Sequence, residues 1–372
     1  MTLVNRIKFL FAFAAGTIFL CAPLAFAADI TWRNNFTFYG DNTEFFEPFR
    51  TGETILGQQG KSYLEAALGP KAFLSAGVFG DFRSTSDQDP ALDVKPILSF
   101  EYREGGSRLI MGTLDSKNRH GFLEPLEVTF LEFTRPIEYG FQWLEDDPSF
   151  KADLFLNWHQ INTPSQPESF DYGFVFKEPL SDQFSFEEQF HGFHFGGQLY
   201  YITVFNNWVP AAGFNLKLPG FLGETHLAVF GLMGSHLSGG DTSQVIWGGG
   251  GYLKATVMPG DHLDLFGIGW RGRDFYSQEG DANYASYSML DSASVDTIHD
   301  FVRDDRTYVE IGAKRTFPIE GDARFEAEFR LHFMDEFTAY SYKLMVYAPF
   351  DLFLLSTSPA SKAKDDGNPS QN

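Results

Sequence analysis

Apolar and polar side chains alternate along most of this chain, and the closing stretch states the rule most plainly. In RFEAEFRLHF, Phe325, Ala327, Phe329, Leu331 and Phe333 share one face while Glu326, Glu328, Arg330 and His332 share the other, which is the period-two pattern of a β-strand. A second arm, TAYSYKLMVYAPF, answers it with Tyr340, Tyr342, Leu344, Val346 and Ala348 opposite Ser341 and Lys343. Upstream arms follow the same rule: DITWRNNFTFYG, KAFLSAGVFGDFR, ILSFEYRE, VTFLEFT, FKADLFLNWHQ, FSFEEQFHGFHF, QLYYITVF, ETHLAVFGLMG, HLDLFGIGWRGRDF and TYVEIGAKR among them. The spacing predicts about eighteen strands of about ten residues, the length of a tilted membrane-spanning strand and nearly twice that usual in soluble sheets.

What precedes the strands settles where they sit. Residues 1–27 read as a secretory signal, with Arg6 and Lys8, then an apolar run, then an Ala25-Phe26-Ala27 cleavage site. The single cysteine, Cys21, falls inside that run without the small residue a lipid-anchored cysteine needs before it. The exported chain therefore has no thiol, and neither disulfides nor a Cys-based zinc site can staple it. Beyond Ala27 no apolar run reaches the roughly 18 residues of a membrane helix. Forty-nine acidic residues against 28 basic ones exclude nucleic acid as a partner. Forty-two Phe and 36 Gly, with 17% aromatic content, suit short ring-bearing strands turned by glycine.

If the first strand runs outward, the tight turns at Gly69-Pro70, Gly105-Gly106, Arg135 to Ile137, Pro219 to Gly223, Met258 to Asp261 and Thr316 to Gly321 all fall on one side. The longer loops at Asp41 to Gln59, Ser84 to Val94, Asp115 to Glu127, Ser235 to Gln244 and Tyr276 to Asp305 fall on the other. That asymmetry, short turns inside and long loops outside, is the one expected of an outer-membrane barrel. Ile161 to Phe170 breaks it, and an error of two strands near there would make the count sixteen or twenty. On these features the chain resembles a bacterial outer-membrane β-barrel of the porin-like class, over residues 28–355. Its closing aromatic strand is similar to the one such proteins present to their assembly machinery, although Phe350 and Phe353 stand about 20 residues before the end and a polar, disordered tail (356–372) follows. The resemblance implies an all-β, antiparallel up-and-down barrel in the outer membrane, in contact with its lipid and lipopolysaccharide.

The function expected from that fold is passive passage of a hydrophilic solute, cations or neutral saccharides, through the lumen, with a place in polysaccharide export or uptake suggested by analogy. Alternation puts Asp153, His159, Asp264, Glu310, Lys314, Glu326, Glu328, Arg330, His332 and Lys343 on the lumenal face, and their acidic excess favours cations. Arg119, His120 and Glu124, in the loop NRHGFLEPLE, form a constriction if that loop folds inward and a solvated surface if it does not. Inward aromatics such as Phe155, Tyr308 and Tyr347 are candidate platforms for a sugar. In EEQFHGFH the strand reading separates Glu187 and His191 from Glu188 and His194, against a shared metal; the acidic loop Asp291 to Asp300 lacks the ligand order of a calcium loop. No His-x-Ser or G-x-S-x-G arrangement appears, so neither catalysis nor a cofactor is expected. The alternatives are a lipid-modifying enzyme of the outer membrane and a closed structural or adhesive barrel.

Overall fold

In the computed structural model, residues 29–45, 52–86, 92–200, 204–220, 222–238, 244–288, 301–302, 304–335 and 337–356 are described. The expected signal segment, the loop Asp291 to Asp300 and the tail beyond Ser356 lie outside them. Among the described residues sixteen antiparallel strands form one closed barrel. In chain order they are β1 (Asp29–Glu44), β2 (Glu53–Ala67), β3 (Ala72–Ser86), β4 (Leu92–Glu104), β5 (Ser107–Thr113), β6 (Tyr139–Asp147), β7 (Phe150–Gln160) and β8 (Glu168–Pro179). There follow β9 (Phe184–Gly196), β10 (Phe205–Gly220), β11 (Gly223–Ser238), β12 (Gln244–Gly260), β13 (Leu263–Arg273), β14 (Asp305–Pro318), β15 (Arg324–Met334) and β16 (Phe337–Ser356). Each pairs with its sequence neighbours, and β1 closes on β16 with Phe36 opposite Ala348 and Glu44 opposite Tyr340. Closure gives every strand a hydrogen-bonded neighbour on both sides, as a medium that offers no partners requires.

The alternation is realised side by side. Phe38, Trp247 and Phe329 stand about half exposed on the outer wall, where the solvent is lipid, while His332, Glu310 and Asn157 on the other face are buried. The strand count is therefore the sixteen of the alternative. Of the expected strands, VTFLEFT forms none, and QLYYITVF forms none in its described residues before Phe205. The first lies within an inward segment and makes a one-turn helix, α1 (Leu131–Thr134), because the barrel interior offers its rings an apolar seat: Phe133 stacks on Tyr39 at 4.5 Å. In the second, Gln198 to Tyr200 turn and β10 starts only at Phe205. Arg135 to Ile137 is consequently no periplasmic turn, and Ile161 to Pro167 becomes an outer loop, which removes the exception to the loop asymmetry. The first loop is shorter than expected, since β1 and β2 stay paired out to Thr43 and Glu53.

Candidate functional site

Between β5 and β6 the chain turns into the lumen. It does so through a left-handed stretch, with φ of 51°, 48° and 58° at Asn118, Arg119 and His120 and 84° at Gly121, a region that costs most L-residues about 1–2 kcal/mol each. The surroundings hold it there. His120 donates from one ring nitrogen to Glu138 (2.7 Å) and from the other to Asp153 (2.8 Å), and its ring stacks on Phe155 at 3.8 Å. Arg119 donates to Glu138 at 2.5 Å and to Glu127. Burial disfavours the His120 cation, but attraction to Glu138 and its bond to Asp153 outweigh this and raise the imidazolium to a pKa of about 10. Burial also opposes the Glu124 charge, yet Lys254 at 2.8 Å and the Tyr252 hydroxyl at 2.7 Å hold that carboxyl at about 2.

The inward segment is tied to the wall all round. Gln59 of β2 and Arg83 of β3 donate to the Phe133 carbonyl, Gln189 of β9 accepts from the Leu123 amide, His191 meets the Leu126 carbonyl at 2.9 Å, and Lys343 of β16 donates to Glu132 at 2.7 Å. A second inward stretch after β13 joins it through Val128 N–H to the Glu279 carbonyl and Asp281 N–H to the Glu124 carbonyl. Leu126, Phe275 and Tyr284 pack with Trp270, Tyr308 and Met334 into an apolar cluster inside the barrel. Together these segments plug its outer half.

The residues predicted from alternation do point inward, but most are spent on one another. Glu326 is held by Lys314 (3.3 Å) and Arg324 (2.7 Å), and Glu328 by Arg330. Arg330 also reaches Glu310 at 3.0 Å. Asp264 lies opposite Lys314 in register, and His159 donates to Asp171 at 2.6 Å. Local pairing thus offsets the acidic lumenal excess expected to select cations. The aromatics are occupied as well: Phe155 by His120, Tyr347 by the Arg324 guanidinium at 4.1 Å. The strand reading of Glu187 to His194 is the one observed, with Glu187 and His191 buried.

One arrangement carries more than lining. The sheet register sets Glu310 of β14 directly across from His332 of β15, and Ser341 of β16 diagonal to it. The Ser341 hydroxyl donates to His332 Nε2 at 2.9 Å. The opposite nitrogen, Nδ1, donates to the Tyr308 oxygen at 2.7 Å, and the Tyr308 hydroxyl donates to Glu310 Oε2 at 2.5 Å. A nucleophile, a base within hydrogen-bond reach and a carboxylate that orients the base are what acyl transfer requires. All four side chains are buried and lie toward the loop end of their strands. Beside them is a cavity of about 40 Å³, walled by Phe45, Phe130, Phe133, Arg330 and Lys343.

A second Ser-His-Asp grouping occurs at the β7–β8 end. Ser169 Oγ lies 3.2 Å from His159 Nδ1, whose other nitrogen bonds Asp171. Here Arg135 donates to the same Nδ1 at 3.2 Å. The lone pair of that nitrogen is thus directed at a guanidinium as well as at the serine, which leaves it less available to take the serine proton. Neither serine was singled out from the sequence, where no motif marks them.

Residues 27–357 match the model of a family described as lipid A 3'-O-deacylase-type. A search of curated proteins returns no match. Among solved structures, a loop-deletion mutant of OmpT, an outer membrane protein of Vibrio cholerae, superposes with a TM-score of 0.55 at 9% identity, covering 86% of this chain and 99% of that one. In-vitro folded, trimeric OmpT gives 0.53 at 8% identity over 86% and 99%, and OprD of Pseudomonas aeruginosa gives 0.46 at 11% over 88% and 96%. The OmpT likenesses establish the fold, that of a bacterial outer-membrane barrel. The family match overturns the expectation that the chain is not an enzyme, because a deacylase family is an enzyme family.

Proposed function

The chain belongs to the lipid A 3'-O-deacylase-type family, and from that membership together with the Ser341 geometry we propose that it hydrolyses an ester-linked acyl chain on a lipid A-type glycolipid of the outer membrane. The observation that carries the reading is the directed chain Ser341 to His332 to Tyr308 to Glu310. His332 Nε2 takes the Ser341 proton as the serine oxygen attacks the ester carbonyl. Glu310, through Tyr308, stabilises the imidazolium that forms. Collapse of the tetrahedral adduct expels the sugar alkoxide, which leaves as an alcohol with the proton from His332. Water, deprotonated by the same nitrogen, then releases the fatty acid and restores Ser341. Arg330 and Lys343 line the cavity beside the carboxylates that pair with them, Glu310, Glu328 and Glu132, so Lys343 becomes available to a developing oxyanion or a substrate phosphate only when Glu132 leaves it.

A cavity of about 40 Å³ holds little more than a water molecule. Entry of an acyl chain therefore requires α1 to move, carrying Phe133 off Tyr39 and Glu132 off Lys343. Passage of cations or saccharides is the weaker reading, since the plug bridges the lumen.

The test is release of fatty acid from lipid A in mixed micelles, followed by mass spectrometry of the glycolipid. The mature protein should remove one ester-linked chain, S341A should lose about 10³-fold or more in rate, and S169A should retain it. Full activity in S341A, or its loss only in S169A, overturns the assignment.

A further inference from the structure

Beneath the plug, toward the short-turn end, lie two adjoining polar cavities of about 450 Å³ each. Both are lined by Asn35, Lys61, Ser116, Lys117 and Pro349, so they form one vestibule below α1 and the left-handed turn. Its carboxylates are committed. Glu65 is held by Arg33 (2.7 Å) and Arg103 (3.0 Å), and Glu101 by Arg103 (2.8 Å) and Arg108 (2.5 Å). Asp115 is held by Arg108 (2.9 Å), Asp351 by Arg33 (2.5 Å) and Glu132 by Lys343 (2.7 Å).

Two lysines are left over. Lys61 Nζ has one long hydrogen bond, 3.5 Å to the Pro136 carbonyl, and no carboxylate within ion-pair distance among the described residues. Lys117 has none either. Both face the same cavities, together with the uncharged polar groups of Asn35, Thr37, Gln59 and Ser99. Two ammonium groups with no carboxylate at ion-pair distance, in a space partly shielded from bulk water, repel one another, and an anion between them relieves that repulsion. Lysine serves phosphate as a compact point charge with rotatable donors.

We propose that this vestibule is a binding site for a small phosphate dianion, free phosphate or a phosphate monoester, entering from the periplasmic side and held between Lys61 and Lys117. The site is separate from Ser341: α1 stands between the two, with Glu132 and Phe133 on the wall of both spaces. Binding here is independent of hydrolysis.

The experiment is isothermal titration of the refolded, heat-modifiable barrel with inorganic phosphate and with glycerol 3-phosphate, at constant ionic strength, using chloride and succinate as controls. The expected result is one saturable site for both phosphates, weakened at least tenfold in K61M and again in K117Q, and unchanged in S341A. Equal binding of succinate would make the site one for dianions in general and overturn the phosphate assignment. No saturable binding by the wild-type barrel, or unaltered affinity in the K61M/K117Q double variant that still shows heat-modifiability, would overturn the site itself.

Discussion

His332 lies between two oxygens of different character, and that asymmetry gives the site its direction. Ser341 can only donate to a bare nitrogen, and Tyr308, committed as a donor to Glu310, can only accept from the other. Tyr308→Phe should therefore leave Ser341 and His332 in place but remove the bridging hydroxyl, leaving the imidazole only its longer, 3.4 Å approach to Glu310 Oε2. We expect kcat for fatty-acid release to fall about 10- to 100-fold with KM little changed, and steady-state kinetics on lipid A micelles would check it; an unchanged kcat would mean that the Tyr308 bridge plays no part. Half of this site was legible in the sequence. Alternation put Glu310, Arg330, His332 and Lys343 on the inner face, and Ser341 on the same side as Lys343. The diagonal meeting of His332 with Ser341 depends on the tight β15–β16 turn, which sets Arg330 opposite Ser341. Nothing in composition or local spacing reports such a register, and for that reason no serine was chosen.

The strands announced themselves because lipid on one side and polar lumen on the other impose period two on every wall segment. The inward segment after β5 faces no lipid, so its apolar residues follow no such rule. Phe130 and Phe133 pack inside the barrel, so the strand that VTFLEFT predicts does not form. What the segment does show is charge: the loop of Arg119, His120 and Glu124, expected either as an inward constriction or as a solvated surface, folds inward, and these residues anchor it to Glu138, Asp153, Lys254 and Tyr252. His120→Ala would strip Glu138 and Asp153 of a shared cation, and we expect a loss of about 3–5 kcal/mol in the local stability of the segment, read as faster amide exchange across 117–138.

The same anchors set a pH window. His120, raised from 6.5 to about 10, contributes fully below 6.5 and loses its contribution as pH climbs through 10. Glu124, lowered from 4.5 to about 2, contributes fully above 4.5 and loses it as pH falls through 2. Exchange protection of the segment should thus be greatest between pH 4.5 and 6.5 and fail towards both extremes, once intrinsic exchange rates are corrected for. Protection that is flat up to pH 11 would show that the His120 cation does not hold the plug.

Taken whole, the molecule is a barrel of porin size whose lumen carries two inward segments. Sixteen strands enclose a lumen wide enough for an aqueous channel, yet its outer half is filled by two inward segments joined to each other and to the wall. In planar bilayers the intact protein should give no steady openings. A variant lacking residues 117–136, verified as folded by heat-modifiability, should conduct; steady conductance from the intact protein would restore the channel reading. The fold class and cellular location followed from signal, alternation and loop asymmetry. The proposed acyl-transfer site did not, because its groups are distributed over three strands and differ in no local way from a polar lining.

The most direct measurement is to look for the acyl-enzyme itself. Incubation of the refolded protein with a short-chain activated ester, acid quench and peptide mass spectrometry should find the acyl mass on the peptide bearing Ser341, and no such adduct in S341A. An adduct on Ser169, or fatty-acid release from lipid A with no serine ever acylated, would contradict the assignment of Ser341 and His332 as nucleophile and base.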